Sequence, residues 1–258
     1  MTHDEICDSL GVDSGHKLVR VHYISDVHND YNDCNILDEL PGDSEGILVV
    51  AGDIHPKGKM VQDIEAVAHK WGDIIAVPGN HDWWGLAIHE YHKFISDVDN
   101  VHILMNSWTE IKGITFVGGT GWFNASSPLD WAYWSRFSDS KRIRGPQGER
   151  FLLLDAAIEH RKFTELAIEM QYVEGPKVLI SHHLMLDNSI DARFKGDPFN
   201  PFYVTHRPEV VQGYEHYIHG HTHHVQAYEF EGTKVHSNPW GYGEEIPDRQ
   251  MRYFEVLV

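Results

Sequence analysis

Gly79-Asn80-His81-Asp82 follows the apolar run Ile74–Val77 and its Pro78, and the rest of the sequence can be ordered around it. Asn and Asp suit left-handed turns, but turn formation gives no reason for a histidine between them. The same arrangement recurs: a short β-branched run ends by delivering Asp, Asn or His into a loop. Leu18–Ile24 leads to Ser25-Asp26-Val27-His28, and Ile47–Ala51 to Gly52-Asp53-Ile54-His55. Lys177–Ile180 leads to Ser181-His182-His183, and His216–His219 to Gly220-His221-Thr222-His223. Ligands of open α/β sheets bind at the carboxyl ends of strands, so these distant residues are expected to meet at one place.

Val101–Leu104 and Ile114–Gly118 read as further strands. Between strands, apolar residues recur at helical spacing: Met60, Ile64, Val67, Ala68 and Trp71; then Ile88, Tyr91, Phe94 and Ile95; then Phe163, Leu166, Ala167, Met170 and Val173. The alternation predicts an α/β protein with a parallel or mixed sheet. Val225–Phe230, Lys234–His236 and Tyr253–Val258 read as short successive strands of a second sheet. Trp122–Gly148, rich in aromatics, Ser, Gly and Arg, reads as a lid or insertion over a site. Residues 1–258 read as one domain.

Composition narrows the function classes. Hydrophobic residues make up 41% and charged residues 23%, which allows a full core. No apolar run reaches the ~20 residues of a membrane span, and the acidic Met1–Leu10 does not resemble a secretory signal. Cys7 and Cys34 form no CxxC pair, so neither a disulfide framework nor a cysteine zinc site is expected, and a reducing cytoplasmic setting is. The net charge of −18 argues against duplex nucleic acid as a partner. A metal cluster could still draw phosphate in locally. Of the 20 histidines, His3, His16, His69, His89, His92 and His160 sit in ordinary polar or helical contexts; those after the strands do not.

The donors after the strands are imidazole, carboxylate and amide without thiolate, which suits Mn2+ first, and also Fe, Zn2+ or Ni2+. Two such ions ~3.5–4 Å apart clamp a phosphoryl group for in-line displacement, and one carboxylate must bridge them. Gly52, Gly79 and Gly220 allow the tight bends that bring backbone close to the ions. Each motif alone is weak. In this order, each behind a strand, they predict a dimetal site.

The set Asp26-x-His28, Gly52-Asp53, Gly79-Asn80-His81-Asp82, His182 and Gly220-His221-Thr222-His223 resembles the calcineurin-like metallophosphoesterase superfamily, over roughly residues 18–258. Gly52-Asp53-Ile54-His55, Ser181-His182-His183 and Asn238-Pro239-Trp240-Gly241-Tyr242 are similar to its small stand-alone bacterial and phage members. The resemblance implies a four-layer α/β/β/α sandwich of two mixed sheets. It implies one metal held by Asp26, His28 and His223, a second by Asn80, His182 and His221, and Asp53 as the bridge. His182 rather than His183 is the expected ligand because it directly follows Ser181; His183 is left to line the substrate pocket. His81 is the expected catalytic group facing the phosphate, with Asp82 orienting its ring.

His55 and Asn29 are candidate substrate contacts. Trp83 and Trp84 are expected as pocket wall or core. Trp122, Trp131, Trp134, Arg136, Arg142 and Arg144 are expected as core aromatics and solvated arginines rather than a nucleotide rim, and Tyr242 could approach from the C-terminal loop.

The implied activity is dimetal-dependent hydrolysis of a phosphate ester by a metal-bridging hydroxide, with a phosphodiester of a nucleotide or short nucleic acid as the first reading. A phosphomonoesterase, including a protein Ser/Thr phosphatase, is the alternative. Protein phosphatases of this superfamily carry arginines beside these motifs, where Ile54-His55-Pro56-Lys57 and Trp83-Trp84 stand here. A non-catalytic scaffold is the third reading, and such members typically lack a ligand that this chain retains.

Overall fold

Row by row, the β-branched residues set the layers of the fold. In the structure, a computed structural model, residues 17–258 are described apart from 33, 126, 244, 247 and 248. The expectations placed on Met1–Leu10, His3, Cys7 and His16 fall outside the described residues. Strands β1 (Leu18–Ile24), β2 (Asp43–Ala51), β3 (Trp71–Val77) and β4 (Val101–Ile103) run parallel in one sheet. In register, Tyr23, Val49 and Ile75 form one row, and Ile24, Val50 and Ala76 form the next on the opposite face. The second sheet has the order β5 (Ser107–Ile111), β6 (Ile114–Gly119), β7 (Lys177–Ser181), β8 (His216–His219), β10 (Thr233–Ser237), β9 (Gln226–Phe230). There β6, β7, β8 and β10 are parallel and the two outer strands antiparallel.

The period-2 alternation sorts these rows into three apolar clusters. Val21, Val49 and Ile75 meet Phe116, Val178, Ile180 and Ile218 between the sheets. Leu48, Val50 and Ala76 face outward under helix α1 (Met60–Val67), which buries Met60, Ile64 and Val67. Val117, Leu179, Tyr217 and Val235 face outward under the long helix between β6 and β7, covered by Phe163, Ala167 and Met170. Each Val, Leu, Ile, Phe or Met among them that is buried in full contributes roughly 1.5–3 kcal/mol. The result is the expected sandwich of two mixed sheets flanked by helices. Counting α2 (Pro128–Trp134) and α3 (Asp139–Arg142), that long helix is α4 (Leu153–Met170). No helix among the described residues is long and apolar enough to cross a membrane.

Three local expectations are corrected. Tyr253–Val258 does not extend the second sheet: β11 (Arg252–Leu257) pairs antiparallel with β1, with Val21 opposite Phe254, and so covers the open edge of the first sheet. The helical spacing of Ile88–Ile95 yields only a 3₁₀ turn, Tyr91–Phe94. Its approach is spent elsewhere, since the N–H groups of Gly85 and Ile88 donate to the carbonyls of Arg142 and Arg144. Trp71 opens β3 rather than closing α1. Ser107–Ile111, polar and half exposed along its length, gave no apolar run to read but pairs as β5.

The parallel order puts the carboxyl ends of β1, β2, β3, β7 and β8 at one end of the sandwich. The loops there are laced together. Asp26 N–H donates to Gly52 O at 2.9 Å, His28 N–H to Asp53 O at 3.0 Å, and Gly220 N–H to His182 O at 3.2 Å. Residues 238–241 brace the first loop, with Ser25 N–H donating to Asn238 O and Gly241 N–H to Asp26 O.

Candidate metal centre

Backbone shape comes first at this site. Asp26, His28, Asp53, His221 and His223 all have left-handed φ values of 52, 43, 56, 72 and 45°. Residues with a side chain avoid that region, and strain of this kind collects where surrounding structure imposes it. At Asp53 the Asp82 carboxylate fixes the turn. It accepts the N–H groups of Asp53, Ile54, His55 and Gly79 at 2.7–2.9 Å, tying the β2 loop to the β3 loop. Gly79 has to be glycine because a Cβ there would run into the Asp53 carboxylate. These turns aim seven side chains inward.

The inward donors form two groups joined at Asp53. In one, His28 Nε2 lies 3.0 Å from His223 Nε2, which is 3.5 Å from Asp26 Oδ1, and Asp53 Oδ2 is 3.9 Å from His28 Nε2. In the other, His182 Nε2 lies 3.3 Å from Asp53 Oδ2, 3.1 Å from Asn80 Oδ1 and 3.2 Å from His221 Nδ1.

Outer partners fix which atom faces in. His182 Nδ1 donates to Ala51 O at 2.9 Å, and His223 Nδ1 to Glu245 Oε2 at 2.7 Å, so both present Nε2 inward. Asn80 Nδ2 donates to Asp139 Oδ1 at 3.0 Å, which turns its carbonyl oxygen to the centre. His81 N–H occupies Asp53 Oδ1 at 2.8 Å, leaving Oδ2 free. Bare lone pairs therefore face one another at hydrogen-bond distance in a buried place, and only a cation or a proton between them satisfies that arrangement.

A sequence model described as calcineurin-like phosphoesterase matches residues 19–225. The chain belongs to the calcineurin-like phosphoesterase family. It is similar to an uncharacterized protein of Acanthamoeba polyphaga mimivirus, 23% identical, with 86% of this chain and 91% of that protein covered. Its fold is similar to the crystal structure of phosphopantetheinyl hydrolase from Mycobacterium tuberculosis, with a TM-score of 0.73 at 18% identity over 91% of this chain and 95% of that one. The calcineurin-like phosphoesterases carry a dinuclear metal centre, and the donor set found here fits one.

The electrostatics of this phosphoesterase point the same way. Burial works against a charge on His182, but the Asp53 and Asp26 carboxylates outweigh it and raise the ring to about 9. For His223 burial is likewise outweighed, by Asp26 and Glu245, to about 9. Protons thus sit where the ions would, and ligands must give them up on metal binding. Apparent affinity for Mn2+ should therefore climb as pH rises from 7 toward 9, with proton release. Titration calorimetry in buffers of different ionisation enthalpy reads that release directly, and metal uptake without it would contradict protonated rings.

Several outer expectations change. Asp82 does not orient the His81 ring, because its carboxylate is fully engaged with the four backbone N–H groups named above. The His81 ring lies stacked on Trp84 with centroids 3.4 Å apart, its Nε2 3.5 Å from Tyr242 Oη and 4.0 Å from Asp53 Oδ2. His183 does not line the cavity. Strand alternation turns it away from His182, into Trp122 and Phe123, with Nδ1 donating to Thr120 O, and burial pushes it down to about 3. Asn29 spends its amide on Asn35, Asp63 and the Ile36 N–H, which makes it a loop staple. His55 is held by Asp63 at 2.7 Å and faces a neighbouring hollow instead. Trp83, Trp122 and Trp134 are core, while Trp131 and Arg144 are exposed. Arg136 and Arg142, expected as solvated, line the site cavity with Trp84.

Sequence reasoning missed Asp139 and Glu245. Both are carboxylates without a motif around them: Asp139 opens the short helix Asp139–Arg142, and Glu245 lies in a loop. Segment 122–148 packs Trp122, Phe123, Trp134 and Ile143 into the outer cluster, places Asp139 behind Asn80 and lines the site cavity with Arg136, Phe137 and Arg142. Tyr242 does reach the site, its ring stacked 4.2 Å from that of His28.

Proposed function

We propose that the phosphoesterase is a phosphodiesterase acting on a nucleotide or a short nucleic acid. The observation that carries this reading is the cavity above Asp53. It measures about 900 Å3 and is walled by Trp84, Phe137, Phe199, Tyr203 and Tyr242, with Arg136 and Arg142 on its side. A diester needs room for an organic group on each side of phosphorus, and aromatic faces suit bases or similar rings. A monoester such as a phosphoprotein needs only one side. The protein-phosphatase alternative is also weakened by the missing arginines next to Asp53 and Asp82.

In this reading Asp26, His28 and His223 hold one ion, Asn80, His182 and His221 the other, and Asp53 both. Mn2+ is the proposed metal, from the oxygen-and-imidazole donor set. When bound, the ions supply Lewis acidity toward the phosphoryl oxygens and an acidified water. His81, at the cavity wall, holds the proton for the departing oxygen. Burial pushes its ring down to about 4 against the pull of Asp53, so the acid role requires the substrate phosphate to raise the ring again. Tyr242 Oη lies 3.5 Å from Nε2 at the edge of the same ring. The cytoplasm is the proposed compartment, on the two-cysteine composition.

The test is metal-reconstituted protein with bis(p-nitrophenyl) phosphate beside p-nitrophenyl phosphate. We expect kcat/KM for the diester to exceed that for the monoester by roughly tenfold or more, since the site's binding energy is used on two arms. A clear preference for the monoester would replace this reading with the alternative.

A further inference from the structure

Beside the metal cavity lies a second hollow of about 770 Å3, on which Lys57, Lys59 and Arg142 converge. In a chain with a net charge of −18, three basic side chains lining one hollow stand out against an acidic background. Among the described residues these three form no ion pair, and Asp30 is the one carboxylate on the lining. Trp84 and Arg142 line both hollows.

The backbone that carries Lys57 and Arg142 is tied to the His81 turn, while the three charged side chains are exposed. Lys57 sits at a left-handed φ of 63° between Pro56 and Gly58, and its N–H donates to Trp84 O at 2.9 Å. Gly85 N–H donates to Arg142 O at 2.7 Å. The loop after Asp53 and helix α3 are thus both fastened to the turn that carries His81. The His81 ring stacks on the Trp84 indole at 3.4 Å, and the Arg142 guanidinium carbon lies 4.1 Å from the same ring. Two groups at van der Waals distance from one ring must take its opposite faces. One indole therefore separates the residue beside the reacting phosphorus from an unpaired cationic hollow.

We infer that this hollow is a subsite for a second phosphate group, carried on one arm of the phosphodiester substrate. The inference rests on the phosphodiesterase reading and narrows it: the preferred substrate is one with two phosphates, such as a dinucleotide with a terminal phosphate. Lys57 and Lys59 would bind that phosphate by charge-assisted hydrogen bonds, with Arg142 completing the cradle.

The experiment compares thymidylyl-thymidine with its forms bearing a terminal 5′-phosphate or a terminal 3′-phosphate. Metal-loaded wild type and Lys57→Ala/Lys59→Ala are measured by turnover and by equilibrium binding. One phosphorylated form should exceed the unphosphorylated dinucleotide roughly tenfold in kcat/KM and in affinity, and the advantage should shrink as ionic strength rises. In the double variant the three dinucleotides should converge on the unphosphorylated value. Equal binding of all three by wild type overturns the subsite, and so does a double variant that keeps the preference. Should no diester be turned over while the binding preference and its loss persist, the phosphodiesterase reading falls and the phosphate subsite stands.

Discussion

Asp53→Asn should empty both halves of the metal centre while leaving the fold in place. Asparagine has the same shape, so the Oδ1 bond from His81 N–H at 2.8 Å can persist. What disappears is the charge on Oδ2, the atom that faces His182 at 3.3 Å and His28 at 3.9 Å and so belongs to both donor groups. An ion supplies several kcal/mol of transition-state stabilisation, and each 1.36 kcal/mol is tenfold in rate. Activity should therefore fall roughly 10³-fold or more. Thermal stability gives an independent reading. Ions that bind only the folded state stabilise it by about 2.7 kcal/mol at a hundred times Kd, so wild type should gain several degrees in Tm on adding Mn2+. The variant should gain little, and without metal it should melt below wild type, since the buried, protonated His182 ring loses the carboxylate that offsets its charge. Elemental analysis decides the matter: two full equivalents retained by the variant would end the bridging assignment.

The His81→Asn variant should separate substrates by their leaving groups. A p-nitrophenolate departs without help, whereas a ribose hydroxyl needs a proton. General-acid assistance is worth ~10²–10⁴-fold, so nucleotide esters should lose that much and nitrophenyl esters far less. Metal content settles a second question with the same protein. His28, Asp53 and His81 also bring donor atoms within 4.8 Å of one another, which makes His81 a rival ligand. Its stacking on Trp84 and its place at the cavity wall assign it to substrate, and the variant should keep both ions. Loss of an ion, or equal loss across all leaving groups, would remove His81 from the role of acid.

The parts of this fold legible in the sequence were those where burial dictates composition. Val21, Val49, Ile75, Val178 and Ile180 could be recognised because a strand buried on both faces admits little else. The seven inward donors were legible for a similar reason: each stands directly behind such a strand, so its place in space follows from its place in sequence. Ser107–Ile111 was not, because a half-exposed edge strand has no distinctive residues. Tyr253–Val258 could be recognised as a strand, but its partner could not, since pairing with β1 depends on which edge is left open. Asp139 and Glu245 act through segments whose path is set by tertiary packing. The adjacent Asp82 was misassigned because a carboxylate next to a histidine invites a pairing that four backbone N–H groups had already claimed.

The pairing of β1 with β11 also bears on how the chain is made. Leu18 lies opposite Leu257, and the Asp26 turn is braced by residues 238–241. Ribosomes add about 5–20 residues per second, so these early segments wait roughly 12–50 s for their partners. During that interval Val19 and Val21 lie on an edge still lacking its β11 partner, of the kind that recruits other strands. Asp26 and His28, meanwhile, lack the later histidines with which they would share an ion. The nascent chain therefore passes through a period in which chaperone capture competes with aggregation, and metal capture by the complete site comes only after its last ligand has emerged.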